Sequence, residues 1–320
     1  MIGIPNTGNI CFMINIIQIL YNISDFREYI ISKKLKINNK IYIDLVNKLR
    51  NLFINLNKEE EDNLQNSVNE FCNSLTELES KDPIVSNFTN FKIHNDSSEF
   101  LIYIMNIFDD FSELNYVMEI KNKQDIIYFE FIKKKNIINK LFLIQQAKQI
   151  KCINCNYLYP LNFKNKICIW QLNISQDFIN NLLDAIRYDS MTKNIDDYNC
   201  SKCKTMSKIK ERTILSKVNN ILIIQLLRFN NNGTRINKDI IIPFKLNLDK
   251  FTYKLKNKNY KLHSICCHIS NHQSSGHYIS IIKCKNKWII FDDNNLINMD
   301  KNDIEEIINK NGYLLVYHKI

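Results

Sequence analysis

The residue best placed for chemistry is Cys11. It lies where a turn containing Gly8 runs into an apolar, helix-length stretch that also carries Asn15 and Gln18. At a helix N-terminus, unpaired backbone N–H groups and the positive end of the dipole stabilise a thiolate, the reactive form of the side chain. Cys11 is therefore the leading candidate for a nucleophile. Cysteine is also among the residues most often buried, so this segment alone leaves a core role open.

A histidine near the other end of the chain supplies a candidate base. His277 follows Gly276 and begins a β-branched and aromatic run that ends in Asp292 and Asp293. A thiol hydrolase needs an imidazole that takes the thiol proton and gives it to the leaving amine, with an acceptor on the other ring nitrogen. A cysteine, a histidine and a carboxylate suit that chemistry, because folding can bring distant residues together.

Four cysteines give the strongest metal signal in the chain. They form two Cys-x-x-Cys pairs, Cys152 with Cys155 and Cys200 with Cys203. Two such pairs supply the four thiolates of a closed tetrahedral zinc site. The 44 residues between the pairs exceed common zinc-ribbon spacing, which intervening strands and a helix would explain. We predict a structural zinc, since four sulfur ligands leave no open position for an activated water. Reduced thiols without a metal are the alternative.

Six fragments of the chain resemble, in the same order, the motifs of the ubiquitin-specific proteases. GIPNTGNICFM is similar to their cysteine box, and residues 260–293 are similar to their histidine box. The other fragments are HNDSSEFLIYIM, CINC, CSKC, and ILIIQLLRF followed by KDIIIPFKLNL. The resemblance extends from Gly3 to Tyr317. Departures from the family pattern remove none of the reacting groups; they are Ile10, Ile14, Asn15 and Asn95.

The resemblance implies a deubiquitinating cysteine protease that hydrolyses the isopeptide or peptide bond after the C-terminal glycine of ubiquitin. It implies Cys11 as nucleophile and His277, in its Gly-His-Tyr setting, as base. It also implies ubiquitin and ubiquitinated proteins as partners and a zinc site at the fingertips. The neighbouring histidines are interpreted as packing or surface residues; they are His263, His268 and His272.

Three further residues are implied to bind the substrate or its transition state. Asn6 matches the family asparagine that donates to the oxyanion, where one donor is typically worth about 10² to 10³ in rate. A turn asparagine is the alternative for Asn6 and the preferred interpretation of Asn9. Asp96 and Glu99 match acids that pair with arginines near the ubiquitin tail. A helix N-cap for Asp96 and a solvated acid at Glu99 are the alternatives.

The carboxylate that orients His277 is Asp292 or Asp293. If residues 285–287 form a three-residue hairpin loop, strand alternation puts Asp293 on the face of His277, at a diagonal of roughly 7 Å. Alignment with the family favours Asp292, the first residue after Phe291, and a bulge would reverse the alternation. We predict Asp292 and keep Asp293 as the alternative.

The elements that must position these residues indicate an α+β fold, because helical patterns come first and β patterns follow. Helices are predicted at 11–21, 40–56, 96–111 and 177–188. Strands are predicted at 126–132, 221–229, 239–243, 260–268, 277–284 and 288–291, and residues 58–62 are predicted to be an exposed loop. The resemblance implies a papain-like catalytic domain over 1–320, with a helical thumb at about 1–114, fingers at 115–230 and a palm at 231–320.

Composition bounds the function classes. A chain of 320 residues with 45% hydrophobic content can bury a sizeable core. The formal charge of +10 comes from scattered lysines without an aromatic-basic motif, so we expect no nucleic-acid partner. We find no stretch that would span a bilayer and no signal sequence, and we expect a cytosolic or nuclear protein. For a viral source, the expectation is the host cytoplasm.

Other functions remain open at this stage. A catalytically silent ubiquitin-binding module of the same fold would keep the motifs without the reaction. A protease for a ubiquitin-like modifier would keep the reaction with another substrate. A zinc-dependent scaffold or nucleic-acid-binding protein is supported only by the four thiolates and the basic charge.

Overall fold

Helices and strands segregate along the chain into the predicted α+β fold. The computed structural model describes residues 1–32, 39–59, 61–109, 136–253 and 258–320. The α-helices are α1 Cys11–Tyr21, α2 Ser24–Ile31, α3 Ile43–Lys58, α4 Glu61–Leu78, α5 Ser86–Thr89, α6 Ser97–Phe108, α7 Ile137–Leu141, α8 Leu182–Asp189 and α9 Lys301–Asn311. The strands are β1 Ile144–Cys152, β2 Asn162–Ile167, β3 Ile169–Asn173, β4 Lys193–Asn199, β5 Met206–Val218, β6 Ile221–Leu227, β7 Lys245–Asn247, β8 Asn259–Ile269, β9 His277–Cys284, β10 Lys287–Asp292, β11 Asn295–Met299 and β12 Gly312–Lys319.

Two sheets organise these strands. An eight-stranded sheet has the order β11-β10-β9-β8-β12-β6-β3, with β7 paired to β8. A separate four-stranded sheet has the order β2-β1-β5-β4. The pairing of β3 with β6 is parallel, and the other ladders between described strands are antiparallel. The predicted strand at 126–132 lies outside the described residues, and the predicted thumb, fingers and palm boundaries stay predictions.

The eight-stranded sheet is buried on both faces. Along β12, Leu314 and Val316 pack into a core shared with α1 and α6, whereas Leu315 and Tyr317 pack into a core shared with α8 and α9. Successive strand residues point to opposite faces, so a sheet covered on both sides needs continuous apolar runs. This explains why β6 is hydrophobic apart from Gln225 and why β12 is hydrophobic up to Tyr317.

Helix α1 lies at the centre of the helical side. Each of its residues from Cys11 to Leu20 is buried, and it contacts α2, α6, β8 and β9. A helix that is apolar all round must be enclosed on every side. The helix begins and ends at the residues predicted from the sequence, and its N-terminus is thereby fixed against β9, the strand that carries His277.

Helix α4 corrects one sequence prediction. The exposed loop predicted at 58–62 is much shorter, since α3 ends at Lys58 and α4 begins at Glu61. The buried side of α4 repeats at spacings of three and four residues; its apolar members are Leu64, Val68, Phe71, Leu75 and Leu78. The charged residues between α3 and α4 favoured a loop in the prediction, although the apolar residues that follow already have helical spacing.

The strand predicted at 239–243 is wrong. Ile241 forms a single parallel bridge with Asn181. The backbone N–H groups of Ile240 and Ile241 donate to the carbonyls of Asn309 and Asn180, rather than to a neighbouring strand. A β-branched run predicted the extended conformation, but the hydrogen-bond partners come from a helix end and a loop. The helix predicted at 177–188 starts later, at Leu182.

Two buried arginines connect the end of α9 to the sheet. Arg228, fully buried, donates to the carbonyls of Gly312, Lys238 and Asn309. Arg235 donates to the carbonyl of His268, close to the loop that leads into His277. Burial, together with the neighbouring Arg235, lowers the pKa of Arg228 to about 10. The carbonyls at the C-terminus of a helix carry partial negative charge, so a cation such as Arg228 is favourable at the end of α9.

No helix in the described part of the chain is both long enough and apolar enough to cross a membrane.

Candidate active site

Cys11 is the first residue of α1, and its side chain is only 4% exposed. Burial raises the pKa of the thiol, but hydrogen bonds to the side chains of His277 and His94 and to the backbone of Tyr278 outweigh burial. The pKa therefore falls to about 6. The positive end of the α1 dipole acts in the same sense. A thiol whose pKa is lowered despite its burial favours the thiolate, which is the form a nucleophile needs.

The turn before α1 is organised by Asn6. Its Oδ1 accepts hydrogen bonds from the backbone N–H groups of Gly8 at 3.3 Å and of Ile10 at 3.2 Å. Asn9 has a φ of 44° and donates to the carbonyl of Lys92 at 3.2 Å. Asn6 thus makes the turn contacts of the alternative interpretation, whereas the side chain of Asn9 joins the turn to the distant Lys92. For Asn6 these contacts also fix the orientation of the amide, because Oδ1 faces the N–H donors and Nδ2 must face away.

His277 is the first residue of β9 and lies between Cys11 and Asp292. Its Nε2 is 2.6 Å from Oδ1 of Asp292. The hydrogen bond with Cys11 raises the pKa of His277, and burial opposes this while the bond with Asp292 reinforces it, so that the pKa reaches about 9. Since Nε2 bonds to Asp292, Nδ1 is the nitrogen left for the thiol. The structure therefore brings together the cysteine, the histidine and the predicted carboxylate.

The hairpin between β9 and β10 explains why Asp292, rather than Asp293, reaches His277. The three-residue loop considered for 285–287 is wrong, because Lys287 already pairs with Cys284. The loop has two residues, and Phe291 pairs with Ser280. This shift by one position reverses the alternation, so Asp292 projects on the same face as His277. No bulge is needed for that result.

Asp293 contacts a different residue. Its Oδ2 accepts a hydrogen bond from Nδ2 of Asn6 at 3.3 Å, and partial burial raises the pKa of its carboxyl. Asp293 has a φ of 54°, which turns the chain away from the β10 direction. A Cβ on Gly3 would lie 2.3 Å from the carbonyl oxygen of Asp293, so a glycine is needed where the two segments meet. Asp292 therefore bonds to His277, and its neighbour Asp293 bonds to Asn6.

Gly276 is required where the chain enters β9. Its φ of 132° lies in a region that favours glycine. A Cβ at this position would lie 2.8 Å from Nε2 of His268 and 2.4 Å from Cβ of Ser270. A side chain at this position would therefore displace His268.

Asn15 makes two contacts that were not predicted from the sequence. Its Nδ2 donates to the carbonyl of Cys11 at 2.9 Å and to the carbonyl of Tyr278 at 2.7 Å, and its side chain is buried. One amide therefore joins the first turn of α1 to the start of β9. A polar residue within an otherwise apolar helix was the signal available in the sequence, because a buried amide requires partners.

Asp96 and Glu99 lie at the start of α6. Oδ1 of Asp96 accepts from the backbone N–H groups of Ser98 at 2.7 Å and Glu99 at 3.2 Å, which makes Asp96 the N-cap. Oδ2 accepts from the hydroxyl of Tyr313 at 2.6 Å. Glu99 is exposed. Asp96 therefore anchors α6 to β12, and its second oxygen keeps a lone pair for a further donor.

His94 is a further imidazole near Cys11 that no sequence motif assigned to the site. It lies two residues before Asp96, and it helps to lower the pKa of the Cys11 thiol. Its Nε2 is 2.9 Å from Nε2 of His268, and its ring stacks on Tyr278 with centroids 5.0 Å apart. The only sequence signal was a histidine beside an acidic box, which by itself does not identify a site.

The four predicted zinc ligands converge at one end of the four-stranded sheet. The Sγ atoms of Cys152, Cys155, Cys200 and Cys203 lie within 4.8 Å of one another. Those of Cys155 and Cys200 are 3.8 Å apart, and ligands at about 2.3 Å in a tetrahedron would be separated by roughly 3.8 Å. The cluster therefore has the dimensions and the chemistry to hold a zinc ion.

The backbone around each cysteine pair repeats the same turn. The N–H of Cys152 donates to the carbonyl of Tyr157, and the N–H of Cys200 donates to the carbonyl of Thr205. The residue after each pair has a positive φ; these are Asn156 at 58° and Lys204 at 56°. Two equal turns facing each other explain how pairs separated by 44 residues converge.

Comparison with known proteins agrees with this geometry. The family model described as "Ubiquitin carboxyl-terminal hydrolase" matches residues 2–317. Ubiquitin carboxyl-terminal hydrolase 16 of Arabidopsis thaliana is 31% identical over 177 residues, which are 53% of this chain and 17% of that protein. Ubiquitin carboxyl-terminal hydrolase 4 of the same plant is 21% identical over 358 aligned positions, which cover 99% of this chain and 93% of that protein.

Solved structures show the same fold. A SAGA DUB module of Ubp8, Sgf11, Sus1 and Sgf73 bound to monoubiquitin superimposes with a TM-score of 0.79 at 19% identity, covering 100% of this chain and 69% of that one. A module bound to ubiquitin aldehyde gives a TM-score of 0.78 at 18% identity, covering 100% and 70%. With the family model matching nearly the whole length, the chain belongs to the ubiquitin carboxyl-terminal hydrolases, the family of cysteine-dependent ubiquitin-specific proteases.

Proposed function

We propose that this protein hydrolyses the peptide or isopeptide bond after the C-terminal glycine of ubiquitin. The observation that supports this most strongly is the arrangement of three residues: Cys11 is the first residue of α1, His277 lowers the pKa of its thiol, and Nε2 of His277 lies 2.6 Å from Oδ1 of Asp292. A silent binding module would have no need for a lowered thiol pKa. Solved relatives of the same fold are complexes with ubiquitin, which supports ubiquitin as the partner.

The reaction follows from the positions of these groups. The Cys11 thiolate attacks the carbonyl carbon of the terminal glycine, and a carbon–sulfur bond forms while the carbonyl oxygen becomes an anion. His277 then donates its Nδ1 proton to the leaving amine, and the carbon–nitrogen bond breaks to give a thioester. His277 next takes a proton from water, whose oxygen attacks the thioester and releases the carboxylate and the thiolate.

The oxyanion is stabilised by Asn6 and by the start of α1. The backbone N–H of Cys11 has no partner within the helix, since it belongs to the first turn. Nδ2 of Asn6 carries two hydrogens, of which Asp293 accepts one. The second hydrogen is available to the substrate. Asp293 then acts by holding the amide of Asn6, whereas Asp292 holds the imidazole of His277.

Asp96 and Glu99 are proposed to bind arginines near the ubiquitin tail. The free lone pair on Oδ2 of Asp96 and the exposed carboxylate of Glu99 are one helical turn apart on α6. Two carboxylates at this spacing suit guanidinium groups. The N-cap bonds of Asp96 add to this proposal, because they keep the carboxylate in a fixed orientation.

The pH profile of kcat/KM should be bell-shaped. The productive form needs a Cys11 thiolate, which is lost below the pKa of about 6, and a protonated His277, which is lost above the pKa of about 9. Activity should therefore rise through the first value and fall through the second, with the pair titrating as a unit. Steady-state hydrolysis of a fluorogenic ubiquitin amide from pH 5 to 10 measures this. A rate that keeps rising to pH 10 would contradict the ion pair.

We infer that the cysteine cluster holds a structural zinc ion. Cys152, Cys155, Cys200 and Cys203 would be its ligands, and the hydroxyl of Tyr159 donates to Sγ of Cys200 at 3.1 Å. Such a donor suits a thiolate. This end of the sheet has little hydrophobic core, since large apolar side chains such as Met206 and Leu158 are exposed. A bound zinc ion would supply the stability that a core provides elsewhere.

Replacing Cys200 by serine should remove the zinc and destabilise the four-stranded sheet. We expect zinc content near one per chain in the unaltered protein and near zero in the variant, with a melting temperature lower by about 5 to 15 °C. Metal analysis and thermal unfolding measure the two effects. Cys284→Ser, at a half-exposed thiol outside the cluster, is the matched control. Equal zinc content in Cys200→Ser and the unaltered protein would contradict the site.

The substrate assignment is tested by comparing modifiers. Fluorogenic C-terminal amides of ubiquitin and of several ubiquitin-like proteins should be hydrolysed at rates that favour ubiquitin by about 10² or more. Preference for another modifier would show that ubiquitin is the wrong substrate. Folded protein that binds ubiquitin but hydrolyses none of the amides would show a silent binding module instead.

A further inference from the structure

Cys11 and His277 lie on different elements, so their spacing depends on how helix α1 is placed against strand β9. Cys11 is the first residue of α1, and His277 is the first residue of β9. Most side chains of α1 are apolar, and the hydrophobic effect that buries them has no preferred direction. Hydrogen bonds are directional, so a bond between the two elements fixes their relative position more narrowly.

Asn15 makes that bond. It lies one helical turn after Cys11 and therefore on the same face of α1. Its side chain is buried, and its Nδ2 donates to the carbonyl of Cys11 at 2.9 Å and to the carbonyl of Tyr278 at 2.7 Å. Only the nitrogen end of the amide suits two carbonyl oxygens, because the oxygen end has no hydrogen to give. We call these two hydrogen bonds, which use both hydrogens of the amide, the Asn15 bridge.

The bridge ends on the backbone beside each reacting group. One carbonyl belongs to the nucleophile itself, and the other belongs to Tyr278, the residue directly after His277. Tyr278 is a firm attachment point, since its ring is buried and stacks on His94 and His268 with centroids 5.0 and 4.4 Å apart. A shift of α1 along β9 would therefore stretch at least one of the two bonds.

The bridge meets β9 where the sheet supports this strand least. The pairing of β10 with β9 begins at Lys287 and Cys284 and reaches Phe291 and Ser280. On the other side, β8 stays paired with β9 as far as His277. The start of β9 therefore has one neighbouring strand within the described ladders. The amide of Asn15 adds a backbone contact from the helical side at this point.

We propose that Asn15 is a positioning residue that fixes the Cys11 thiol relative to the imidazole of His277. It acts through the backbone of the two segments, contacts no substrate and takes no proton. The proposal rests on Cys11 and His277 being the reacting pair of the proposed function. Asn15 is one of the positions at which the chain departs from the family pattern, so the bridge is a feature of this chain.

Loss of the bridge should lower kcat and leave KM nearly unchanged. Asn15→Leu keeps roughly the size of the side chain and removes both donors. A misplacement of about 1 Å between reacting groups can lower a rate by about 10², so we expect kcat to fall by about 10- to 100-fold. The variant alters no surface that would contact ubiquitin, because Asn15 is buried, so KM should stay within about twofold.

Asn15→Ser separates the bridge from the bond within the helix. A serine hydroxyl in a helix bonds to the carbonyl four residues earlier, which here is that of Cys11. Its single hydrogen leaves the carbonyl of Tyr278 without the donor from α1. We expect Asn15→Ser to lose at least tenfold in kcat, as Asn15→Leu does, because the contact between the two elements is lost in both variants.

A second measurement needs no ubiquitin. It is alkylation of Cys11 by iodoacetamide from pH 4.5 to 9.5, read from the Cys11 peptide by mass spectrometry. His277 helps to lower the pKa of the thiol to about 6, and a less closely held His277 lowers it less. The midpoint should therefore be higher by about half a unit to one unit in both variants. Asparagine, serine and leucine are uncharged, so the substitutions leave the other titratable groups near the pair in place; these are His94, Asp96, Cys266, His268, Asp292 and Asp293.

Gln18→Met is the matched control. Gln18 is the other buried amide of α1, and its Nε2 donates to the carbonyl of Ile2 at 3.4 Å rather than to β9. Methionine has a similar length and no donor. This variant should keep the kcat and the alkylation midpoint of the unaltered protein. Circular dichroism establishes that each variant is folded, and Asn15→Ser decides the question if Asn15→Leu does not fold.

Two results would overturn the proposal. One is a folded Asn15→Leu or Asn15→Ser variant with the kcat and the alkylation midpoint of the unaltered protein. The other is an equal loss in Gln18→Met, because the removal of any buried amide from α1 would then have the same effect. If the unaltered protein hydrolyses no ubiquitin amide, the proposed function fails, whereas the alkylation midpoints still test the bridge.

Discussion

Replacing Cys11 by serine is expected to lower ubiquitin hydrolysis by about 10⁴-fold or more while ubiquitin still binds. The hydrogen bonds that lower the pKa of the thiol to about 6 cannot bring a serine hydroxyl near neutrality. Serine is close to cysteine in size, so the buried first turn of α1 should keep its packing. Steady-state hydrolysis and the dissociation constant for ubiquitin measure the two quantities separately.

The control for Cys11→Ser is Cys284→Ser, which alters a thiol on the same strand as His277 but outside the site. It should hydrolyse ubiquitin amides at the unaltered rate. Hydrolysis by Cys11→Ser at an undiminished rate would remove the mechanism. Loss of both hydrolysis and ubiquitin binding, in a folded variant, would mean that Cys11 is needed for the shape of the binding surface rather than for attack.

Replacing Asp292 by alanine is expected to lower kcat by about 10² to 10⁴. The carboxylate accepts from Nε2 of His277 at 2.6 Å and helps to raise the pKa of the imidazole to about 9. Without it, the imidazole loses the partner that fixes its tautomer and its orientation. Asp292→Asn keeps the size of the side chain but loses its charge and can present an N–H to the imidazole, so we expect a loss of similar size, about 10² to 10⁴.

Asp293→Ala is the matched comparison, because it removes a neighbouring carboxylate that holds Asn6 instead. Oδ1 of Asn6 would still accept from Gly8 and Ile10, so the amide stays partly oriented. We expect a loss of about tenfold, smaller than that of Asp292→Ala. The reverse ranking, measured as kcat in folded variants, would mean that Asp293 orients His277 during turnover.

The main chemistry of the site could be predicted because it depends on motifs whose local structure follows from the sequence. Cys11 begins a helix in which nearly every residue is apolar, so both its position and its burial follow from that run. His277 begins a strand marked by Gly276 and a β-branched stretch. The two cysteine pairs carry their own turns, which close them on a common point.

The carboxylate could not be derived from strand alternation alone. A loop of three residues and a loop of two give opposite answers, and the sequence at 285–287 does not decide between them. The structure has Lys287 paired with Cys284, and that one register places Asp292 beside His277. Resemblance to the family favoured the residue that the structure places beside His277, whereas the premise of a three-residue loop was wrong.

The supporting contacts were beyond sequence reasoning for a different reason. His94, Asn15 and Asp293 act through partners that are far away in the chain; the separations of the bonded pairs are 174, 263 and 287 residues. The local sequence around each of these residues indicates only an ordinary loop, helix or turn position. Only the packing of α1 against β9 and of α6 against the sheet decides which partner each one meets.

The most direct measurement is covalent labelling with ubiquitin whose C-terminal glycine carries a vinyl sulfone, followed by digestion to locate the adduct. A thiolate held beside His277 and reached by the ubiquitin tail predicts one adduct per chain, on Cys11, and none on the other nine cysteines. Labelling at another cysteine, or no labelling of a folded chain that binds ubiquitin, would contradict the account.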